Sequence, residues 1–331
     1  MTFKKKAGFI LIVLCCALWF SGFLFIKKEA RNRLDRFVEL QAMGGRQWKC
    51  LNRDIQGWGM QLALICDSLT VSDPFQEIET GPVQITYRIF DPFPLSISIH
   101  GPFQWHDGQR NISFDASPLE LKFSADVKER TLHDAHLSWK DIHNVITNVA
   151  LPEKIEMLQL SLVSANSDER MINISVQGVS WILMDGLFKR DGLWNILGTA
   201  SVSRFSALGC LGQKVNLVDW QAKQGQIIIE TFKALSGDDE ILDLVGNLTL
   251  DSDYYPEGKV EISAKGIDGL QWPPDAGNNN SAVGSNDLQM NENKGNTIRK
   301  MQFSMKGGRL FLGGFPLPGK RLPVLVPSDE D

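Results

Sequence analysis

The short signatures that mark most catalytic folds are missing from this 331-residue chain. It has no Gly-x-Ser-x-Gly elbow, no Gly-x-x-x-x-Gly-Lys-Ser/Thr phosphate loop, no Gly-x-Gly-x-x-Gly turn and no His-Glu-x-x-His helix, so the common hydrolase, nucleotide-binding and zinc-peptidase readings have no footing. Histidine is scarce, at five residues. His133 and His136, three apart, would share a helix face but point to opposite sides of a strand, and the surrounding Ala135–Trp139 reads as strand. His106 and Asp107 are adjacent at a turn and point apart, which disfavours an acid/base pair. Asp251-Ser-Asp253 begins like a calcium loop, but Tyr255 and Pro256 stand where a ligand and a glycine are needed, so a turn is expected. No metal and no cofactor are expected, and the chain is read as non-enzymatic. Positive charge is also lacking over most of the length. Residues 1–36 hold eight Lys/Arg against two Asp/Glu, a net of +6, which leaves −11 for the remainder of a chain whose total is −5. That sign argues against a nucleic-acid partner and disfavours broad docking onto anionic headgroups.

Long apolar runs are likewise scarce, with one exception. Gly8 to Ile26 is 19 residues without a charge, about 28 Å as a helix, near the thickness of a bilayer core. No small-x-small cleavage triplet follows it, because Trp19 and Phe20 stand where small residues belong, so an uncleaved anchor is favoured over a signal peptide. Cys15 and Cys16 follow Val13 and Leu14 rather than the small residues of a lipoprotein site and read as apolar helix residues. Lys4, Lys5 and Lys6 precede the run, whereas Lys27, Lys28, Arg31, Arg33 and Arg36 follow it, so the positive-inside rule points towards a cytoplasmic body. The large acidic remainder and its cysteines argue for the opposite orientation. The organisation expected is a cytoplasmic tail over 1–7, a transmembrane helix over 8–26, a helical stalk over 27–45 and a β-rich periplasmic domain over 46–327. In the stalk Leu34, Phe37, Val38 and Met43 lie near one face, with Gly44-Gly45 as its stop.

From about Trp48 the apolar period becomes two. Leu119, Leu121, Phe123, Ala125 and Val127 alternate with polar residues, and the same alternation recurs in Val83–Ile89, Leu95–Ile99, Leu158–Leu162, Ile172–Val176, Leu242–Leu250 and Val260–Ala264. Turn chemistry separates these runs at Asp91-Pro92, His106-Asp107-Gly108, Asp191-Gly192, Ser236-Gly237-Asp238 and Pro256-Glu257-Gly258. No strand–helix–strand rhythm appears, so the fold class is mainly β, an N-terminal helix followed by a mostly antiparallel sheet or sandwich. Residues 272–297, rich in Asn, Gly and Ser, read as a flexible insertion, because they offer little apolar surface to offset their ordering entropy. Eighteen Phe and nine Trp can fill a sandwich core or line a lipid-sized groove.

Cys50 and Cys66 sit in two runs joined near Gly57-Trp58-Gly59, beyond the export anchor. One hairpin can fold such a separation back on itself, so the pair reads as a candidate structural disulfide; two reduced, buried thiols are the other reading. Cys210, alone between glycines, reads as an unpaired core thiol.

At these residues the chain resembles an uncharacterised bacterial envelope family, the domain of unknown function 2125, which is similar to the AsmA-like group of membrane-anchored β-rich proteins. Cys50, Gly57, Trp58, the strand Gln61–Ile65 and Cys66 match its pattern, while Gly59 and Met60 replace a Pro and a Phe. Gly246–Asp251 with Pro256-Glu257-Gly258, Gly308–Gly313, Pro316–Pro318 and Leu322–Leu325 match further. The resemblance implies a curved β-sheet body in the periplasm and a lipid-handling role, and carries no catalytic residue. The expected function is therefore that of a non-enzymatic protein anchored in the inner membrane, holding lipid on an apolar concave sheet face. An envelope scaffold with a filled core, whose partner is another protein, is the alternative, and a hydrolase without a recognisable motif is a third. In each reading Leu121→Asp places a charge on the buried face of a strand. A loss of about 2 kcal/mol or more is expected in urea unfolding.

Overall fold

The N-terminal basic, apolar and stalk segments form one uninterrupted helix, α1 (Phe3–Met43). Its 41 residues span about 60 Å. Gly44-Gly45 ends it as expected: Gly45 takes φ +81°, which a side chain resists, and the Arg46 N–H returns to the Gln41 carbonyl at 3.0 Å. The half-buried stripe of the stalk is Ala30, Leu34, Val38 and Gln41, one residue per turn. Met43 is 75% exposed and does not belong to it, because two residues beyond Gln41 it points about 200° round the helix. In the computed structural model the described residues are 3–58, 61–88, 95–107, 111–126, 131–144, 151–166, 168–182, 184–185, 192–208, 216–265, 298–312 and 315–316, with helix side chains from residue 19 onward. Most of the expected span, residues 8–26, lies outside the described side chains, as do Cys15 and Cys16. The expected insertion at 272–297, Cys210 and the Asp91-Pro92 turn lie outside the described residues altogether. Among the described residues no helix is long and apolar enough to cross a membrane.

The chain divides into two units, residues 1–114 and 115–331. After α1, the first unit contains β1 (Gln47–Leu51), β2 (Asp54–Trp58), β3 (Gln61–Cys66), β4 (Ser68–Ser72), β5 (Glu77–Thr80), β6 (Val83–Arg88), β7 (Leu95–Ile99), β8 (Phe103–His106) and β9 (Asn111–Asp115). Antiparallel pairing runs β1–β4–β5–β8–β9 and, separately, β2–β3–β6–β7. These are two halves of one meander, because β1 continues into β2, β3 into β4, β5 into β6 and β7 into β8, each across a bend.

The bends line up as a crease held by polar groups. Asn52, at φ +51°, donates through Nδ2 to Asp67 Oδ2 at 2.7 Å, and the Asp67 N–H donates to Leu51 O at 2.9 Å. At the next pair of strands the Gly81 N–H is shared between His100 O and Pro102 O. A Cβ on Gly81 would stand 2.1 Å from the Gly101 carbonyl, so the approach requires glycine. Pro82 and Pro102, which lack an N–H, sit where the ladder is already broken. The helix packs on this unit: Phe37 meets Trp48 edge to face at 5.8 Å, Arg53 pairs with Asp35 at 2.6 Å, and Lys27 lies 3.8 Å from Asp54.

Cys50 and Cys66 are joined, with Cα atoms 5.4 Å apart. Their place refines the simple hairpin clamp. The ladder pairs Cys50 with Leu69 and Asp54 with Ile65, so in a flat hairpin Cys50 and Cys66 would lie on opposite faces and roughly 10 Å apart along the strands. The crease brings them together, and the bridge clasps it.

The second unit is a longer meander of β10 (Leu119–Asp126), β11 (Thr131–Asn144), β12 (Lys154–Asn166), β13 (Glu169–Val179), β14 (Trp194–Ser203), β15 (Ile227–Ser236), β16 (Asp239–Leu250), β17 (Pro256–Lys265), β18 (Ile298–Lys306), β19 (Arg309–Leu312) and β20 (Phe315–Pro316). Each strand is antiparallel to the next. The protein is mainly β, as the alternation predicts, and its large antiparallel sheet is not closed into a barrel. Ser236-Gly237-Asp238 makes the expected turn, with Gly237 at φ +61°. Pro256-Glu257-Gly258 is instead the start of β17. The reversal comes earlier, where Asp251 Oδ1 accepts the N–H groups of Asp253 and Tyr255 and Tyr254 takes φ +61°. Gly258 serves close packing: a Cβ there would meet Asn247 O at 2.0 Å.

Cys50→Ser is expected to free Cys66 for thiol labelling without prior reduction. The same substitution is expected to cost about 3 kcal/mol in urea unfolding, the value for a closed loop of this size.

Candidate functional site: an apolar sheet face with covered ends

The register of the second unit sorts its side chains into two faces. Leu121, Leu137, Leu160 and Ile174 stand opposite one another across β10 to β13, and the row continues through Gly198, Phe232, Leu244, Ile262 and Met301 across β14 to β18. One residue along each strand the row is polar, running His136, Ser161, Asn173, Thr199, Thr231. On that side Thr199 Oγ1 donates to Asn173 Oδ1 at 3.1 Å, and Asn173 Nδ2 donates to Ser161 Oγ at 3.3 Å. A groove of about 310 Å³ is lined by His136, Ser138, Gln159, Ser161, Asn173 and Ser175 together with Leu137, Leu160 and Ile174.

Covering segments close both ends of the apolar face. At one end Trp181 and Met184, between β13 and β14, pack on Val176, Val179, Trp194, Ala234 and Ile241. Trp194 is fully buried, and its indole N–H is held by Asp185 Oδ1 at 2.8 Å. At the other end a 3-10 turn (Phe205–Leu208) and a short helix, α2 (Leu217–Ala222), lay Ala207 and Trp220 over Val202 and Leu250. The Trp220 indole donates to Ser203 O at 2.8 Å. Gly225 is obligatory beneath it, because a Cβ would stand 2.1 Å from the ring. Asn216 caps α2 by accepting the Asp219 N–H at 3.0 Å. Asp168 ties the 3-10 turn to the sheet: its carboxylate accepts the Ser206 hydroxyl and the Ser206 N–H, and Arg204 Nη1 lies 3.3 Å away. Its pKa is lowered, first by the Ser206 hydroxyl, with burial opposing and Arg204 assisting.

Between the covered ends lies a trough of about 260 Å³, lined by Ile172, Ile174, Gly198, Ala200, Ile229, Phe232 and Leu244. Gly198 forms its floor. A Cβ there would come within 2.7 Å of Ile174 Cγ2 and 3.0 Å of Phe232 Cδ2, so the absent side chain lets its neighbours lean together. The residues around the trough are half-buried, and Leu160 is 38% exposed. Such a surface offers apolar contact from which water is readily displaced.

The other sequence candidates are dispersed. Cys50 and Cys66 belong to the first unit. His133 and His136 are both on β11, with His133 at a bulge in the pairing with β10, and His106 ends β8, exposed. Among the described residues no three His, Cys, Asp or Glu side chains gather as a metal site. Sequence reasoning missed the covering segments. The available signal was Asn216-x-x-Asp219, the spacing of a helix cap just before an apolar turn.

A creased and an open antiparallel meander, with one long N-terminal helix, define a β-rich protein with an apolar face. The chain belongs to the bacterial family described as "Uncharacterized protein conserved in bacteria (DUF2125)", whose profile matches residues 23–319. The match gives no support for the wider AsmA-like grouping. No curated protein and no solved structure matches the chain.

The 3-10 cover carries a pH dependence. The folded Asp168 carboxyl titrates below its ordinary value of about 3.9, so its contribution is present above that value and is lost as pH falls through the lowered one. Hydrogen exchange of residues 204–208 is expected to rise on acidification over that window. Ser206→Ala is expected to weaken the dependence, since it removes the largest cause.

Proposed function

We propose that this chain is a non-enzymatic protein anchored in the bacterial inner membrane, with its β-rich part in the periplasm, and that it holds lipid on the apolar face of the second unit. The trough between two covered ends carries the reading. A sheet built only for stability would cover the middle of its apolar face as it covers the ends, whereas among the described residues Ile174, Phe232 and Leu244 surround an opening. The Cys50–Cys66 bridge supports an oxidising compartment for the body, and the uncharged run Gly8–Ile26 supports a single anchor. Lys27, directly after that run, lies against Asp54, which ties the first strands to the end of the anchor.

A second reading, an envelope scaffold with a protein partner, is favoured by Leu197, Ile228 and Val245. These are exposed on the otherwise polar face of the same sheet.

Full-length protein extracted from membranes in mild detergent is expected to carry an acyl lipid detectable by native mass spectrometry. Ala200→Trp, which fills the trough, is expected to remove it while the Cys50–Cys66 bridge stays closed. Wild-type protein that yields no acyl species would sink the lipid reading and leave the scaffold.

A further inference from the structure

The covered end nearer α2 contains a cation without a counter-charge. Arg170, on β13, is 3% exposed, and among the described residues no carboxylate reaches it. Its Nε donates to Leu132 O at 3.0 Å, and its Nη1 donates to Asn166 O at 2.8 Å and Glu169 O at 3.0 Å. Its guanidinium lies over the Phe205 ring, 5.2 Å from the centroid. The acidic groups nearby are occupied elsewhere: Glu169 by Asn166 Nδ2, Asp168 by Ser206 and Arg204, and Asp134 by Ser124 and Ser164. The second terminal nitrogen, Nη2, has no acceptor among the described residues and is not one of the sealed, unsatisfied atoms. It therefore keeps two N–H donors without an acceptor among the described residues, on a side chain that is 3% exposed overall. A buried guanidinium held only by carbonyls carries a desolvation cost that an anion would offset.

The trough and this cation share Ile172 as a neighbour, the guanidinium itself being turned toward Leu132, Asn166 and Glu169. Arg170, Ile172 and Ile174 are alternate residues of β13 on one face, about 6.7 Å apart at each step. Ile172 lines the trough and also packs in the cluster that contains Phe205, the ring beneath the guanidinium. At about 260 Å³ the trough is below the roughly 300–1,000 Å³ of sites that enclose drug-sized ligands, so it takes part of a single acyl chain.

We infer that the ligand is a single-tailed anionic amphiphile, its chain in the trough over Ile174, Ala200 and Phe232 and its carboxylate or phosphate head on Arg170 Nη2. This rests on the lipid reading of the same face and adds the sign of the head and the number of tails. Phe205 then acts as a backing plate that fixes the plane of the guanidinium, and the Asn166 and Glu169 carbonyls fix its direction.

The test uses full-length protein in detergent and two photolabels on the same long saturated chain, one ending in a carboxylate and one in an alcohol. Labelled peptides from β13 and β15 are read by mass spectrometry. The carboxylate probe is expected to label the trough about tenfold more than the alcohol, the value of one charge-assisted contact. Arg170→Gln is expected to abolish that preference and leave alcohol labelling in place. Unlabelled fatty acid and lysophosphatidic acid, used as competitors, separate a carboxylate head from a phosphate head; displacement by neither overturns the inference. Equal labelling by both probes also overturns it, while leaving the apolar-face reading intact. No labelling by either probe overturns that reading itself. Should Arg170→Gln fail to fold, the wild-type comparison of acid with alcohol still decides.

Discussion

An antiparallel sheet whose strands alternate strictly has one face that water disfavours, and everything distinctive in the second unit follows from how that face is covered. Helices would ordinarily do the work, yet from β10 to β20 each strand pairs with the next in sequence. The cover comes instead from two short excursions, one around Trp181 and Met184 and one around Phe205 and Trp220. Each is anchored by an indole N–H with a defined acceptor, Asp185 for Trp194 and the Ser203 carbonyl for Trp220. Two short covers cannot span strands of ten or more residues, so among the described residues the middle of the face is left as a trough. The candidate site is thus a consequence of economy in the connections rather than of a dedicated pocket.

The first unit answers the same problem differently. Its strands are too short for a flat sheet with a covered face, and they crease along a line of polar bends, folding their apolar residues inward. Ile55, Leu62, Cys66, Val83 and Phe103 are buried there. The crease breaks the backbone ladder, and each break is repaired locally: by the Asn52 amide on Asp67, by the Gly81 N–H shared between two carbonyls, and by prolines that have no N–H to satisfy. A bridge between Cys50 and Cys66 is possible only because of that bend. In return it removes chain entropy from the unfolded state at the point where the ladder is weakest.

In the arrangement we propose, Arg170 combines a structural role with a binding role. Carbonyls from β11 and from the turn before β13 hold the guanidinium in place, and Phe205 supports its plane. Holding it that way consumes three of its five donors. The two that remain give a cation at the edge of an apolar surface, the combination that an amphiphile with a negative head requires.

Much of this was legible in the residues, and the division between what was and was not has a physical basis. Period-two alternation in Leu119–Val127, Leu158–Leu162 and Ile172–Val176 determined strands, their buried sides and the mainly β class, because a side chain's face in a strand depends only on parity. Gly44-Gly45 and Gly237 announced their turns, since positive φ is a local property. The cysteine pair was legible as a pair, but its geometry was not, because parity places Cys50 and Cys66 on opposite faces and only the crease unites them. Pro256-Glu257-Gly258 misled for a related reason: the glycine is there for a neighbouring strand's carbonyl, a contact no local pattern records. The trough, the covers at its ends and the uncompensated charge of Arg170 were decided by the tertiary structure alone. Each depends on which strands stand side by side and how far a connection reaches, and those are long-range contacts that local spacing does not encode.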